Sequence, residues 1–409
     1  MRRKPCGIAM GEVLTFVAAF LTLVSSAWAQ PKFQVLHGVA GGLFQGVTFD
    51  AKGNLYSVTN GGGDHNAGSV FELTPGTHGW NLSTLQSFSG EDGVTPNGGL
   101  IFDAAGNLYG TTPAGGAGFD GGVVFEMSPS LDGWSLQVLY NFCPVYHCPD
   151  GSKPQDGVIL DRQGNIYGTA PAGGSAGEGV AFELTDYSAR RDENVLINFD
   201  STNGISPIAG LISDQVGNLY GTTIRGGEYG GGTVFELARV GESWKERVLY
   251  SFCAAGFPSC KDGFGPYAGV VFDASGNLYG TTGQGGGNQC GGTTCGTIFK
   301  LARIKGGKWK HTVLYAFPNP GNGSFPTGGV IIDKAGDLYG ATVAGGIGGC
   351  SGGCGVVYKL SPGTDGKWTY SVLHKFNGGD GSQPLGGLIF DKKGNLYGTA
   401  YSVVFEVTP

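Results

Sequence analysis

Gly99-Leu-Ile-Phe-Asp-Ala-Ala-Gly-Asn-Leu-Tyr-Gly-Thr-Thr112 reads as a strand, a tight turn and a second strand. Its core, Gly-Asn-Leu-Tyr-Gly, recurs with small changes from Gly53, Gly106, Gly164, Gly217, Gly276, Gly336 and Gly394. The spacing averages about 57 residues, the size of one supersecondary unit in a repeat protein. Two more apolar segments complete the unit. Gly122-Val-Val-Phe-Glu-Met127 is the third and residues 134–142 are the fourth. In the fourth, Trp134, Leu136, Val138, Tyr140 and Phe142 share one face, while Ser135, Gln137 and Asn141 lie opposite, with Leu139 the one exception. Four short strands per repeat, repeated radially, predict an all-β seven-bladed β-propeller of four-stranded antiparallel blades.

The ends of the chain predict how the ring closes. Residues 403–408 read as the third strand of the seventh unit, and no fourth strand follows. Phe33-Gln-Val-Leu-His37 matches that missing strand, as Tyr370-Ser-Val-Leu-His374 shows. The N-terminal strand is therefore expected to complete the last blade, which removes two unpaired sheet edges.

Bulk composition agrees. Of 409 residues, 80 are Gly and 19 are Pro, almost a quarter of the chain. Because these residues fall at fixed offsets between apolar segments, they read as turn punctuation. Arg2, Arg3 and Lys4, the apolar run 13–24 and Ala27-Trp28-Ala29 form a signal-peptide pattern over residues 1–29, leaving the propeller over 30–409. Losing the signal shifts the net charge from −7 to −9, and no Lys/Arg-rich run exists. That balance disfavours nucleic acid and anionic membranes. A secreted or extracytoplasmic monomer is expected, with no membrane insertion after signal removal.

The unit Gly-Leu-Ile-Phe-Asp-x-x-Gly-Asn-Leu-Tyr-Gly-Thr-Thr, followed by Gly-Gly-x-Val-Phe-Glu-Leu, Trp and Val-Leu-Tyr-x-Phe, resembles the GloVer tandem repeat of secreted and surface bacterial proteins. The resemblance covers nearly all of residues 33–409. It implies an extracytoplasmic bacterial protein and names no activity. The copies depart from the pattern at Ser57, Ile166 and Asp337, and the seventh loses its Gly-Gly loop after Ala400.

The remaining motifs are weighed against chance. Asp50, Asp103, Asp161, Asp214, Asp273, Asp333 and Asp391 recur at one turn position. One carboxylate per turn offers too few oxygens for Ca²⁺, so each is expected to accept turn amides. The five Trp residues after the signal open fourth strands and are expected to pack between blades. Gly173-Gly-Ser175-Ala-Gly177 lacks the strand-to-helix context of a nucleophile elbow. Gly115-Gly-Ala-Gly-Phe-Asp120 occurs once, whereas a calcium roll needs stacked copies. Four close cysteine pairs, Cys143/Cys148, Cys253/Cys260, Cys290/Cys295 and Cys350/Cys354, suit local disulfides in an exported chain. Their spacings fit zinc poorly. No catalytic residue, metal site or cofactor is expected.

In a four-stranded meander, the second-to-third and fourth-to-first loops share one end, and here they are long, Gly-rich and variable. Binding usually lives on such loops. Their aromatics and carboxylates are the candidate ligand residues: Asp64, Phe119, Asp120, Tyr146, Glu178, Glu228, Tyr229, Asp262, Phe264 and Tyr267. Together these point to a binding or scaffold module that recognises an extracellular glycan or protein through its loop-rich face. One alternative is a propeller lyase or hydrolase acting on polysaccharide or a lactone, which requires a blade-unique cluster of carboxylate and His around the tunnel. Another is a structural protein of the cell envelope.

Overall fold

Short apolar segments separated by Gly-containing turns can satisfy their backbone only by pairing with one another. The computed structural model describes residues 30–187, 190–241, 243–257, 259–287, 295–318 and 320–409, and it pairs them into seven antiparallel sheets. The expected signal peptide, residues 1–29, lies outside the described residues. In the second blade, Ile101–Phe102, Leu108–Thr112, Val123–Ser130 and Gly133–Asn141 lie side by side in chain order. The same order recurs within residues 48–87, 159–198, 212–251, 271–316 and 330–375. The second strands, such as Leu108–Thr112, are wholly buried, and the fourth strands are the most exposed.

The seventh blade is assembled from both ends of the chain, as the sequence predicts. Lys32–Leu43 pairs antiparallel with Leu396–Thr408, with Phe33 opposite Val407 and Val35 opposite Phe405. The long C-terminal strand doubles back at Tyr401, which takes a φ of 39°, so it supplies both the second and third strand positions. The ring is then latched. Phe33 stacks on His374 of the sixth blade at 3.6 Å, and the Thr399 hydroxyl donates to the Gln45 carbonyl of the first blade at 2.6 Å.

The core is divided into seven apolar clusters, each shared by two adjacent blades. Phe142 of the second blade meets Phe182 of the third at 5.0 Å, and Phe199 of the third meets Phe235 of the fourth at 5.0 Å. Edge-on aromatic pairs of this kind add about 1 kcal/mol to what burial alone contributes. The tryptophans join these walls: Trp134 lies 5.9 Å from Tyr56 of the first blade, and Trp244 lies 5.9 Å from Tyr167 of the third.

Each inner turn is closed by its aspartate. Asp103 Oδ1 accepts from the Ala105 and Asn107 amides at 2.8 Å, and Oδ2 accepts from Asn107 Nδ2 at 2.9 Å and from the Tyr109 hydroxyl at 3.2 Å. Gly106 completes the turn at a φ of 91°, which a residue with a Cβ rarely adopts. The carboxylates are thus consumed by turn formation.

Cys143–Cys148, Cys253–Cys260 and Cys350–Cys354 are disulfides, as expected. Cys295 is disulfide-bonded as well, and Cys290 lies outside the described residues. Short β-bridges join five of the fourth-to-first loops to a second-to-third loop: Val94 to Ala114, Ser152 to Ala172, Ile205 to Arg225, Phe264 to Gln284 and Ser324 to Ala344. Both loop sets therefore gather on one face.

Candidate functional site

The first strand of each blade is preceded by a short segment that faces the ring axis. Its third residue is glycine in every blade, from Gly46 to Gly387, and these glycines touch across blades. A Cβ on Gly157 would collide with the Gly99 carbonyl, and one on Gly46 would lie 2.5 Å from the Gly387 carbonyl. Second-strand hydroxyls hold these segments from the neighbouring blade. Thr111 donates to the Asp156 carbonyl at 2.8 Å, Thr169 to the Ala209 carbonyl at 2.9 Å and Thr222 to the Ala268 carbonyl at 3.0 Å.

The inner segments enclose an axial cavity of about 620 Å³. One repeat position, two residues before the conserved apolar pair's glycine neighbour, always faces it, and its identity differs in every blade. The first four blades supply Phe44, Asn97, Gln155 and Ile208; the last three supply Tyr267, Thr327 and Leu385. Seven near-identical blades thus present seven different side chains at one place. Gln45, Asp156 and Phe325 add to the lining. In ring order, the polar side chains Gln45, Asn97, Gln155 and Asp156 come from the first three blades. Tyr267 and Phe325, whose rings meet at 5.2 Å, stand across the axis from them.

Among the described residues Asp156 is the one charged residue of this lining. At its position other blades carry Gln45, Gly98, Ala209, Ala268, Gly328 and Gly386. Its Oδ1 accepts from the Gly157 amide at 2.7 Å and its Oδ2 from the Gly210 amide at 2.7 Å. The Gly99 amide donates to it as well. Three amides from three successive blades therefore fix this carboxyl. Burial raises its pKa above the usual carboxylate range, and the amides oppose that rise in part. It sits among packed atoms yet keeps part of its surface open to the channel.

The residues singled out from sequence are spread more widely. Tyr267 lies in the axial lining. Phe119 and Tyr146 are 59% and 73% exposed and face each other at 6.4 Å above the second blade. Glu228 and Tyr229 form an exposed pair on the fourth blade, where their hydrogen bond, followed by the Glu228 charge, holds the phenol above its usual range. Asp64 is exposed, and Glu178 is half-buried with its carbonyl accepting from Ser206. Phe264 packs against Phe257 at 5.0 Å.

Two of the carboxylates hold loops. Asp120 accepts from the Gly115 amide within its own loop. Asp262 accepts from the Tyr250 hydroxyl at 2.8 Å and the Ala254 amide at 3.1 Å. Asp150 does the same for Tyr140 and Cys143, and Asp380 for His374 and Asn377. The signal was the Asp/Asn-Gly step before each first strand, at Asp92, Asp150, Asn203, Asp262, Asn322 and Asp380, which loops of unequal length obscure.

Sequence reasoning missed Asn97, Gln155, Asp156 and Phe325. The signal that finds them is variation at a fixed repeat position, not residue type. Among the described residues no group of three or more His, Cys, Asp or Glu is placed to hold a metal ion. The axial lining contains one carboxylate and no histidine.

The fold and its axial cavity define a closed seven-bladed β-propeller with one loop-rich face. The chain belongs to the Gloeobacter/Verrucomicrobia repeat family, which matches residues 26–215, 130–349 and 194–406. A comparison with curated proteins finds no match. Among solved structures, a streptogramin B lyase superposes with a TM-score of 0.57 at 14% identity, covering 94% of this chain and 99% of the other. An ancestral GH74 enzyme gives 0.59 at 9% identity, over 90% of this chain and 48% of that one. The extracellular domain of a putative hybrid two-component system from B. thetaiotaomicron gives 0.53 at 14%, over 93% and 41%. At such identities the likeness is one of fold. The disulfides suit an extracytoplasmic protein. No helix among the described residues is long and apolar enough to cross a membrane.

Proposed function

We propose that the protein is a secreted binding module that recognises an extracellular glycan or protein through its loop-rich face. The observation that carries this reading is the axial position occupied by seven different side chains on a frame that is otherwise repeated. A purely structural ring has no need to diversify one inward-facing position while keeping its neighbours fixed. Exposed aromatics on the same face, Phe119, Tyr146 and Tyr229, add contact surface, and the disulfides lower the cost of ordering the loops that carry them.

The lyase or hydrolase reading called for a blade-unique carboxylate together with a histidine. Asp156 supplies the first half, and the lining offers no histidine to complete it. Binding is therefore the better-supported reading. A glycan array combined with pull-down from extracellular extract tests it: a saturable ligand competed by excess free protein is the expected result, and no saturable ligand in either assay overturns it.

A further inference from the structure

Resting on that binding role, we propose that the mouth of the axial channel is a subsite for a neutral sugar ring, held between an amide-and-carboxylate wall and an aromatic wall. Three features of the lining select this chemistry.

The first is charge. Phosphate, sulfate or uronate groups would need a cationic partner, and among the described residues no Lys, Arg or His lines the channel. The single carboxylate repels anions. It is also engaged by three backbone amides, so it is a poor site for a bare cation, whose binding calls for several free oxygens. A neutral ligand remains.

The second is unused hydrogen-bonding capacity. The Asn97 amide oxygen and the Thr327 hydroxyl have no hydrogen-bond partner within the protein. Both atoms are closed off from solvent, so the polar groups that a ligand meets at the channel surface are the side chains of Gln45, Gln155 and Asp156 beside them. Amides and a fixed carboxyl suit hydroxyl groups, which donate and accept at once.

The third is shape. Tyr267 and Phe325 present aromatic surface opposite the polar wall, with Ile208 and Leu385 beside them. A sugar ring has the matching character, with C–H groups on one face and hydroxyls at its edge. A cavity of about 620 Å³ is within the ordinary range for small-ligand sites.

The test measures binding of the whole chain to neutral oligosaccharides (cellotetraose, laminaritetraose, mannotetraose), to tetragalacturonate as the anionic probe and to a chitosan tetramer as the cationic one. Titration calorimetry follows wild type, Tyr267→Ala, Asn97→Leu and the double variant Phe119→Ala/Tyr146→Ala, each with its melting temperature recorded. Thr327→Val, which keeps the side-chain shape and removes only the hydroxyl, replaces any variant that melts early. The expected result is binding of a neutral probe, weakened about tenfold or more by each channel substitution and less than about twofold by the loop pair. Preference for tetragalacturonate or the chitosan tetramer overturns the subsite, and so does neutral-sugar binding that survives the channel substitutions. If wild type binds no probe here and no ligand in the array and pull-down, the broader binding role falls with it.

Discussion

The walls between blades and the mouth of the axial channel are built from the same repeat under opposite rules. In the walls, the same residue types return blade after blade: Phe142 against Phe182, Phe199 against Phe235, Phe252 against Phe299. At one position of the channel mouth, that of Asn97 and Gln155, no two blades agree. A close-packed interface has few solutions once wedge angle and strand spacing are set, so repetition there reflects packing. A side chain that projects into an open channel is not constrained by a neighbour in that way, so it is free to vary. The contrast separates what holds this ring together from what it presents to other molecules.

The largest expected effect comes from breaking a wall. Phe182 is fully buried between the second and third blades. Phe182→Ala should cost about 3 to 5 kcal/mol in urea unfolding, since Phe142 and the rest of the cluster cannot collapse into the space. A loss under about 1 kcal/mol would mean that the walls are not what secures the ring.

The inner turns come next. Asp161 Oδ1 accepts from the Gln163 and Asn165 amides at 2.8 and 2.9 Å, and its Oδ2 accepts from Asn165 Nδ2 and Tyr167. Asp161→Ala removes the acceptor of the Gln163 and Asn165 donors, while Tyr167 keeps Glu183 at 2.8 Å, and should cost about 2 kcal/mol. Chelator should leave the wild-type melting temperature unchanged. A drop of several degrees on adding EDTA would show that the turn carboxylates do hold metal.

Both of these features were legible in the sequence, because each recurs and recurrence is readable without coordinates. The missing fourth strand after residue 408 and its match at Phe33–His37 gave the closure for the same reason: a repeat shows what a partial copy lacks. The channel was hard to read for the converse reason. Asn97, Gln155 and Asp156 are ordinary polar residues before a glycine, and only their disagreement across blades marks them. Loop residues stand out by type instead. Of those, Tyr267 lines the axis, while Asp262 and Asp120 serve their own loops.

A smaller effect should appear on the outer strands, where titrating groups are trapped between blades. Burial, with help from Asp150, pushes Glu193 up to about 8 from an ordinary 4.5. Between those values the folded carboxyl keeps a proton that the unfolded chain has released, so stability falls as pH rises through that window. Glu193→Gln should therefore gain about 1 to 2 kcal/mol at pH 8, after allowing for solvent screening, and nothing at pH 4. His311 behaves oppositely. Burial against Tyr250, whose ring it stacks on at 4.2 Å, lowers it from 6.5 to about 4, with Asp262 opposing. The unfolded chain binds that proton first, so stability falls as pH drops from 6.5 towards 4. His311→Phe keeps the stack and should flatten the acid limb of a melting-temperature profile. Unchanged limbs in both variants would place these groups in contact with water.

The smallest effect on stability is expected at the channel mouth, and it is the sharpest test of the contrast. Asn97 and Thr327 occupy equivalent repeat positions in the second and sixth blades, on the backbone just before each first strand. Exchanging them, Asn97→Thr with Thr327→Asn, keeps composition, charge and total volume while moving each side chain to the far side of the axis. A frame indifferent to its mouth should lose less than about 0.5 kcal/mol, within the usual range for substitutions that touch no core. Ligand binding should nonetheless fall, because the polar wall loses one of its amides and the aromatic wall gains one. If the exchange destabilises the ring by as much as a wall substitution, the seven side chains belong to the packing after all. Their diversity would then reflect seven local solutions to closure, and it would say nothing about recognition.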